Sequence, residues 1–217
     1  MKIGVIGTGD VGRTLASGLA RRGHLVMIGS RDPTVDRVRH WLTETEHGSQ
    51  AGTFSQAAAY GDIAILCVNW AHVEDVIQLA GAGNFAGKLV IDTSNPLKFE
   101  ADGQAPVLAV ACSDSAGESI QRWLPDAHIV KAFNIVGHAH MVEPDFPDGK
   151  PDMFICGNDA DAKEIATGII ESLGWPEPID LGGIQMSRYL EPLAMVWITH
   201  FFNNGFNGNH AFKLLRK

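Results

Sequence analysis

The feature that most constrains the fold of this chain is a glycine pattern near its amino terminus. Residues 7–12 have the sequence GTGDVG, which matches the spacing GxGxxG. The pattern follows an apolar run at residues 3–6 and precedes a helical pattern whose apolar side carries Leu15 and Leu19. A second apolar run, at residues 25–28, comes next. A strand, a glycine turn, a helix and a second strand at these distances predict a βαβ unit with parallel strands.

The rest of the chain repeats this alternation of short β-branched runs and helical patterns. The alternation predicts an α/β fold of the Rossmann type, with a doubly wound, mainly parallel sheet and helices on both faces. The predicted strands are residues 2–6, 24–28, 63–68, 88–92, 128–133 and 153–156. The predicted helices are residues 10–22, 33–46, 72–80, 115–124, 159–173 and 187–203. The stretch 180–184 predicts a joint between a Rossmann-like domain, residues 1–181, and a small C-terminal helical segment, residues 182–217.

The composition argues against several functional classes. The formal net charge of −8 does not favour sequence-independent nucleic-acid binding, which needs a clustered basic surface. No apolar run approaches the roughly 18 residues of a membrane helix, so we expect a soluble, cytoplasmic protein with no membrane partner. Cys67, Cys112 and Cys156 show no CxxC spacing and are expected to be small buried residues in a reducing compartment.

The glycine pattern, in its strand-to-helix context, predicts a dinucleotide site. Gly7 permits a tight turn, Gly9 lets backbone N–H groups approach a pyrophosphate, and Gly12 allows the helix to pack closely on the strand. The helix N-terminus adds partial positive charge for the phosphates. Asp10 is expected to cap the helix and to contact the cofactor only through its backbone, because its carboxylate would repel a phosphate.

The end of the second strand selects the cofactor. An NAD site usually carries Asp or Glu there, which accepts hydrogen bonds from the ribose 2′-hydroxyl. This chain instead has Gly29, Ser30 and Arg31, and a guanidinium with a hydroxyl suits a 2′-phosphate. Asp32 and Pro33 are expected to start the next helix. The alternative is that Arg31 is a solvated surface residue; the prediction that we favour is NADP(H).

Ligands of a doubly wound sheet lie across the carboxyl ends of its strands. The polar residues that follow the later strands are therefore candidates for contact with the nicotinamide end of the cofactor. They are Asn69, Trp70, Asn95 and Asn134. Trp70 either packs on a flat ring or covers the next helix, and Asn95 with Pro96 either contacts the ligand or forms a turn.

No catalytic cluster accompanies these residues in the sequence. No Ser/His/Asp or Cys/His arrangement supports nucleophilic catalysis. His138 and His140 lie close together but lack further ligands, so no metal is expected. Lys131 lies inside a strand pattern, which makes it a poor general acid. The sequence therefore predicts an enzyme without a catalytic side chain, or a protein that only binds the cofactor.

Taken in order, these motifs resemble those of the NADPH-dependent reductases of the deazaflavin coenzyme F420. The chain is also similar to the cytosolic NADPH domain of the six-transmembrane epithelial antigen (STEAP) metalloreductases. The resemblance covers essentially the whole chain. It rests on residues 6–12, 28–32, 69–72, 92–96, 130–134 and 154–159, and on the helix that begins at Ser187.

The resemblance implies an activity and a set of contacts. The activity is hydride transfer between NADP(H) and a deazaflavin or flavin-type acceptor, with coenzyme F420 favoured, by ring positioning and without an acid or base. The implied pyrophosphate contacts are Thr8, Gly9, Asp10 and Val11. The implied 2′-phosphate contacts are Ser30 and Arg31. The implied residues around the nicotinamide are Asn69, Trp70, Asn95, Ala132 and Asn134.

The last predicted helix, residues 187–203, is apolar over most of its circumference, whereas a surface helix shows one apolar stripe. One side is expected to pack on the sheet domain, and the other on a second subunit or on the accepting ring; the alternative is burial in the core alone. We predict a homodimer. Two other classes stay open, namely a NADP-dependent dehydrogenase of a small substrate and a non-catalytic NADP sensor.

Overall fold

The computed structural model describes residues 1–45, 48–101 and 103–215 of the chain. Within these residues the strands are β1 (Lys2–Ile6), β2 (Leu25–Ser30), β3 (Gln50–Thr53), β4 (Ile63–Leu66), β5 (Leu89–Asp92), β6 (Leu97–Lys98), β7 (Val107–Leu108), β8 (His128–Lys131), β9 (Phe154–Gly157) and β10 (Ile179–Asp180). Strands β6 and β7 pair as an antiparallel hairpin. The other strands of the described residues form one sheet.

The order of strands in the sheet is β10-β9-β8-β5-β4-β1-β2-β3. Neighbouring strands are parallel throughout, except that β8 and β9 are antiparallel. The chain moves outwards from β1 to β3 and then resumes at β4, on the other side of β1. The predicted Rossmann-type, doubly wound, mainly parallel sheet is confirmed. In such a sheet a ligand binds outside the carboxyl ends of the strands at the point of reversal, here β1 and β4.

Helices cover both faces of this sheet. They are α1 (Asp10–Arg21), α2 (Asp36–Glu44), α3 (Phe54–Tyr60), α4 (Val73–Ala80), α5 (Ala116–Trp123), α6 (Ala160–Ser172) and α7 (Ser187–Asn203). Helices α1, α2 and α6 bury Leu15, Trp41 and Ile169 on one face. The remaining helices pack on the other face, where Ile77 and Leu190 are buried. The central strands are therefore shielded on both sides, and every residue of β4 and β5 is buried.

Two adjacent elements are missing from the sequence-based prediction, the edge strand β3 and the short helix α3. Strand β3 has the sequence QAGT and lacks the apolar alternation of a strand. Helix α3 does have a start signal. The Thr53 side chain accepts a hydrogen bond from the Gln56 N–H at 3.2 Å, and the Gln56 side chain accepts one from the Thr53 N–H at 2.8 Å. This capping box was detectable as T-x-x-Q. Strands β6, β7 and β10 are also missing from the prediction, because two residues carry no periodicity.

The predicted start of the second helix is wrong. Asp32 and Pro33 precede it, and α2 begins only at Asp36. The Asp32 Oδ1 accepts hydrogen bonds from the N–H and the hydroxyl of Thr34, at 2.8 and 2.6 Å, and this closes a turn before the helix. Helix α2 ends at Glu44, and the last position of the predicted helix, Glu46, lies outside the described residues.

The prediction that all three cysteines are buried is wrong for one of them. Cys67 and Cys156 are buried, as expected from their apolar runs, but Cys112 is exposed. Cys112 lies in an irregular segment before α5 and has a φ of 67°. Among the described residues, no helix is long and apolar enough to cross a membrane. The division of the chain at residue 181 and the cytoplasmic location stay predictions.

Candidate functional site

The carboxyl ends of the neighbouring parallel strands lie at the same edge of the sheet, because their last residues pair with one another in register. Ile6 of β1 pairs in register with Gly29 of β2 and with Leu66 of β4. Leu66 pairs with Asp92 of β5, and Asp92 pairs with Lys131 of β8. The segments that leave these strands therefore start along one edge of the sheet. All the site residues predicted from the sequence lie in those segments or at the strand ends.

The segment after β1 is a turn that requires glycine at residue 7. Gly7 has a φ of +126°, and a Cβ at this position would collide with the carbonyl group of Cys67. A Cβ at Gly12 would collide with the carbonyl group of Gly7, so α1 packs directly on the turn. Around Gly9, in contrast, the described residues leave the space for a Cβ empty. The backbone at Gly9 is thus open to close approach by a ligand.

Helix α1 begins directly after this turn, with Gly9 at its cap position. The prediction that Asp10 caps the helix is wrong, because the Asp10 carboxylate pairs with Nη2 of Arg13 at 2.6 Å. Nη1 of Arg13 also donates to the carbonyl of Thr8 at 2.8 Å, which braces the turn. No side chain of the described residues caps the first N–H groups of α1. Free N–H groups at the positive end of a helix suit an anion such as a pyrophosphate.

Strand β2 ends beside the glycine turn, where the N–H of Gly7 donates to the carbonyl of Gly29 at 3.1 Å. Ser30 is buried at the end of the strand, and Arg31 is exposed directly after it. The neighbouring carboxylate, that of Asp32, is engaged by Thr34. Within the described part of the chain, the Arg31 guanidinium has no carboxylate partner. A cation without a carboxylate partner, at the end of the strand beside the glycine turn, fits a 2′-phosphate.

The segments after β4 and β5 form a wall of a cavity of about 360 Å³, which we call the loop-side cavity. Its lining includes Gly9, Asp10 and Val11 of the turn, Asn69 and Trp70 after β4, and Thr93, Ser94 and Asn95 after β5. Trp70 also stacks on Trp123 of α5, with ring centroids 5.6 Å apart. Trp70 thus covers a helix and lines the cavity at once.

Asn95 and Asn134 form a reciprocal pair between the ends of β5 and β8. Nδ2 of Asn95 donates to the carbonyl of Asn134 at 2.7 Å, and Nδ2 of Asn134 donates to Oδ1 of Asn95 at 3.0 Å. Nδ2 of Asn134 also donates to the carbonyl of Leu190 in α7, at 3.1 Å. The buried Oδ1 of Asn134 accepts no hydrogen bond from the described residues. A buried acceptor without a partner is costly, so it suits an N–H donor such as a carboxamide.

A second cavity, of about 550 Å³, lies between the segment after β8 and helix α7, and we call it the helix-side cavity. Its apolar lining includes Phe133, Val136 and Met141 from that segment and Trp197, Ile198, Phe201 and Phe206 from α7 and beyond. The rings of Trp197 and Phe201 stack with centroids 5.6 Å apart. Val11, Thr93, Asn95 and His138 line both cavities, so the two adjoin. Flat apolar walls of this kind suit a planar ring.

The sequence indicated this second cavity only in part. Asn134 was predicted, and the apolar circumference of α7 indicated that its outer side covers something. The stretch of residues 135–141 carried no usable signal, because it has neither helical nor strand periodicity. Ala132 is fully buried, with its N–H bonded to the carbonyl of Asp92 at 3.0 Å, and its predicted role beside the nicotinamide stays a prediction.

A group of three buried charges lies beneath the asparagine pair, and the sequence did not indicate it. Lys131, Asp92 and Glu191 are each at most 1% exposed. Nζ of Lys131 lies 2.6 Å from Oδ2 of Asp92 and 3.1 Å from Oε1 of Glu191. Burial acts to lower the pKa of Lys131, but the two carboxylates outweigh it and raise that pKa. Burial raises the pKa of Glu191, against the opposing effects of Lys131 and of the Ala116 and Gly117 N–H groups.

The site offers little to nucleophilic chemistry. Cys67 lines the loop-side cavity, but burial raises the pKa of its thiol to about 12, so the thiolate is scarce at neutral pH. In the described part of the chain, no three His, Cys, Asp or Glu side chains come together as a metal site. What the arrangement does offer is an anion-binding turn and two adjoining cavities.

Comparisons with known proteins identify related proteins over most of the chain. A family model described as NADP oxidoreductase, coenzyme F420-dependent, matches residues 2–96. An F420-dependent NADP reductase from Methanothermobacter marburgensis is 30% identical over 210 residues, which cover 91% of both proteins. A crystal structure from Arthrobacter sp. FB24, described provisionally as an F420-dependent NADP reductase, has a TM-score of 0.92 and 38% identity and covers 100% of both chains. Metalloreductase STEAP3 from Rattus norvegicus is 27% identical over 194 residues, and the chain spans 36% of its length.

The fold and these comparisons together define an NADPH-dependent oxidoreductase built on a Rossmann-type sheet. The predicted use of NADP(H) is confirmed. The chain belongs to the family of F420-dependent NADP oxidoreductases, as the motifs predicted.

Proposed function

We propose that this enzyme transfers a hydride between NADP(H) and a deazaflavin or flavin-type ring, with coenzyme F420 as the favoured acceptor. The observation that carries the proposal is the helix-side cavity, an aromatic-lined space of about 550 Å³ that adjoins the loop-side cavity. Bound NADPH supplies the hydride, and the chain supplies binding, orientation and exclusion of water. The F420-dependent reductases similar to this chain support the choice of acceptor.

In this proposal the glycine turn and the start of α1 hold the pyrophosphate through backbone N–H groups of residues 8–11. The Asp10 carboxylate is drawn aside by Arg13, which limits its repulsion of the phosphates. Ser30 and Arg31 hold the 2′-phosphate by charge-assisted hydrogen bonds, and this contact gives the preference for NADPH over NADH.

The nicotinamide lies in the loop-side cavity, beside Asn69 and Trp70. Asn95 lines both cavities and fixes the orientation of the Asn134 amide. Oδ1 of Asn134, at the border with the helix-side cavity, would accept a hydrogen bond from the carboxamide N–H. The accepting ring lies in the helix-side cavity, against the stacked rings of Trp197 and Phe201. The rate then comes from holding two rings face to face at short distance, which requires no acid or base from the chain.

We also propose that the enzyme is a homodimer that pairs through the outer face of α7. Tyr189 and Val196 on this helix are 68% and 60% exposed. Met195, Val196, Thr199 and His200 line a shallow depression on the helix that a second copy would fill. Sedimentation equilibrium is expected to give twice the chain mass, and Val196→Glu is expected to give a monomer. A wild-type monomer at micromolar concentration contradicts this proposal.

The experiment that tests the activity is an acceptor screen. NADPH oxidation is followed with coenzyme F420, with FMN, with FAD, with a panel of hydroxy acids and imines in both directions, and with no acceptor. We expect the highest kcat/KM with F420 and little oxidation without an acceptor. Turnover of a hydroxy acid or an imine in place of a ring acceptor shows a small-substrate dehydrogenase. Tight NADPH binding without turnover of any acceptor shows a sensor, and both outcomes contradict the proposal.

A further inference from the structure

The buried charges Lys131, Asp92 and Glu191 join three elements at the edge of the sheet that faces the site. Asp92 ends β5, Lys131 ends β8, and Glu191 projects from α7. Nζ of Lys131 contacts both carboxylates and also donates a hydrogen bond to the carbonyl of Ser94 at 2.7 Å. Oδ1 of Asp92 in turn accepts from the N–H and the hydroxyl of Ser94, at 2.8 and 2.7 Å. The ammonium group of Lys131 thus links α7 to the loop of residues 93–95.

Two of the partners of Lys131, Ser94 and Glu191, belong to different walls of the proposed reaction site. Ser94 lies between Thr93 and Asn95, which line both cavities. Glu191 lies on the helix that carries Trp197 and Phe201, which line the helix-side cavity alone. The ammonium group of Lys131 therefore connects the wall next to the nicotinamide with the wall next to the accepting ring.

The far side of Glu191 is fixed as well. Its two carboxylate oxygens accept hydrogen bonds from the N–H groups of Ala116 and Gly117, at 3.0 and 3.1 Å. These N–H groups lie in the first turn of α5, so the helix dipole favours the negative charge. Glu191 is thereby held between the first turn of α5 and the ammonium group of Lys131, and the hydrogen bonds to both are directional. Apolar contacts between α7 and the sheet are not directional, and they leave a helix freer to shift along its axis.

We propose that Glu191 and Lys131 are positioning residues that set the distance between α7 and the loop of residues 93–95. Resting on the proposed function, this inference means that they set the separation of the two rings between which the hydride passes. Hydride transfer needs the reacting atoms within about 3–3.5 Å, and a displacement of about 1 Å costs roughly a hundredfold in rate. Neither residue contacts a ring, so both act through the walls of the cavities.

The test compares Glu191→Gln with a matched control that joins the same two helices, α5 and α7. Glu118 of α5 also binds α7, through Nε and Nη2 of Arg188 at 2.8 and 2.5 Å, but it makes no contact with Lys131. Glu118→Gln weakens a tie between α5 and α7 by the same chemical change. We expect Glu191→Gln to lower kcat for acceptor reduction by roughly tenfold or more. The Kd of NADPH, measured by fluorescence titration, is expected to stay within about twofold of wild type.

Two further readouts separate positioning from a general loss of structure. The kinetic isotope effect with NADPH deuterated at the transferred position is expected to rise in Glu191→Gln, since the transfer itself becomes slower. Hydrogen–deuterium exchange is expected to speed up in residues 93–95 and in α7 together, although the substituted residue lies on α7 alone. Glu118→Gln is expected to show neither change. A second variant, Lys131→Met with Asp92→Asn, keeps the net charge of the group and the bonds to α5, and it is expected to reproduce both effects.

Several outcomes overturn the inference. It is wrong if Glu191→Gln and Glu118→Gln give the same kcat, or if exchange rises in α7 while residues 93–95 stay as protected as in wild type. It is also wrong if the Kd of NADPH rises as much as kcat falls. If the wild-type enzyme reduces no ring acceptor, the proposed function is wrong. The hydrogen–deuterium exchange of Glu191→Gln and Glu118→Gln then still decides whether Glu191 couples α7 to residues 93–95. If Glu191→Gln does not fold, the double variant Lys131→Met with Asp92→Asn is compared with Glu118→Gln in its place.

Discussion

The two ends of the proposed site are built in different ways. The end proposed to hold the phosphates consists of consecutive residues, 7–12, and a pair at the end of the next strand, Ser30 and Arg31. The end proposed to hold the accepting ring is assembled from segments more than fifty residues apart, such as Phe133 and Trp197. The first depends on backbone geometry and the second on side-chain packing.

The difference explains why one end can be found in a sequence and the other cannot. A turn with a φ of +126° at Gly7, followed by a helix start, requires particular residue types at neighbouring positions of the sequence. An apolar cavity does not require particular residue types at neighbouring positions, because many combinations of apolar residues can line it. What must be specific at the acceptor end is the placement of its walls, and buried charges contribute to that placement.

The largest expected effect is on stability, from removal of the buried ammonium group. Lys131→Met leaves Asp92 and Glu191 as two buried carboxylates without a cation, and we expect a loss of about 3–5 kcal/mol in the free energy of unfolding. Lys163→Met is the matched control, because Lys163 pairs with Asp180 at the same 2.6 Å but its carboxylate partner is 47% exposed. We expect the control to lose less than about 1 kcal/mol. Urea unfolding measures both.

The loss in Lys131→Met is expected to depend on pH. Burial already raises the pKa of Glu191 above its ordinary value of 4.5, and removal of Lys131 raises it further. A carboxyl group whose pKa is raised in the folded state lowers stability as the pH rises through its unfolded value. Lys131→Met should therefore lose more stability at pH 8 than at pH 5. Equal losses at both pH values would contradict the role assigned to the Glu191 charge.

Much of the fold was predictable from the sequence, and the reasons are physical. Strands such as β4 are buried on both faces, so their sequences are continuous apolar runs. Helix α7 was predicted with its observed bounds because its pattern is long and apolar. Strand β3 was missed because an edge strand of four residues needs no apolar alternation. Position in the sheet, rather than the local sequence, makes it a strand.

The site was predictable in the same uneven way. Residues such as Asn69 and Asn95 could be predicted as candidates because the carboxyl edge of a parallel sheet is a general location for ligands. The ion network was missed because Lys131 and Glu191 are sixty residues apart, and no periodicity links them. A lysine inside an apolar strand pattern was the available signal, since a buried lysine requires an anionic partner. The sequence could not show which carboxylate supplies it.

The next largest effect tests the phosphate end. Arg31→Ala removes the cation assigned to the 2′-phosphate, and a hydrogen bond to a charged group contributes about 1.5–3 kcal/mol. We expect the Kd of NADPH to rise by roughly ten- to hundredfold, and that of NADH to stay the same. Arg39→Ala is the control, since Arg39 is exposed on α2, 3.7 Å from Asp36, and is expected to change neither constant. Equal losses for both cofactors would show that the 2′-phosphate is held elsewhere.

A smaller effect tests the acceptor end. Phe201→Ala removes one of the two stacked rings of the helix-side cavity, and an aromatic pair contributes about 0.5–1.5 kcal/mol beyond its buried area. We expect KM for the ring acceptor to rise by roughly three- to tenfold, with the Kd of NADPH unchanged. Phe146→Ala is the control, because Phe146 packs on His140, with ring centroids 4.6 Å apart, and lines neither cavity. A change in NADPH binding with Phe201→Ala would mean that the two ends are not separate.

The smallest expected effect concerns the boundary between the two ends, where Cys67 lines the loop-side cavity. Burial raises the thiol pKa of Cys67 to about 12 and that of Cys156 to about 11, so both react slowly with a disulfide reagent. Cys112 is exposed, and we expect one fast thiol per folded chain, which Cys112→Ser removes without loss of activity. A second fast thiol that NADPH protects would identify Cys67. The thiol of Cys67 would then be accessible from the loop-side cavity, which would contradict its burial.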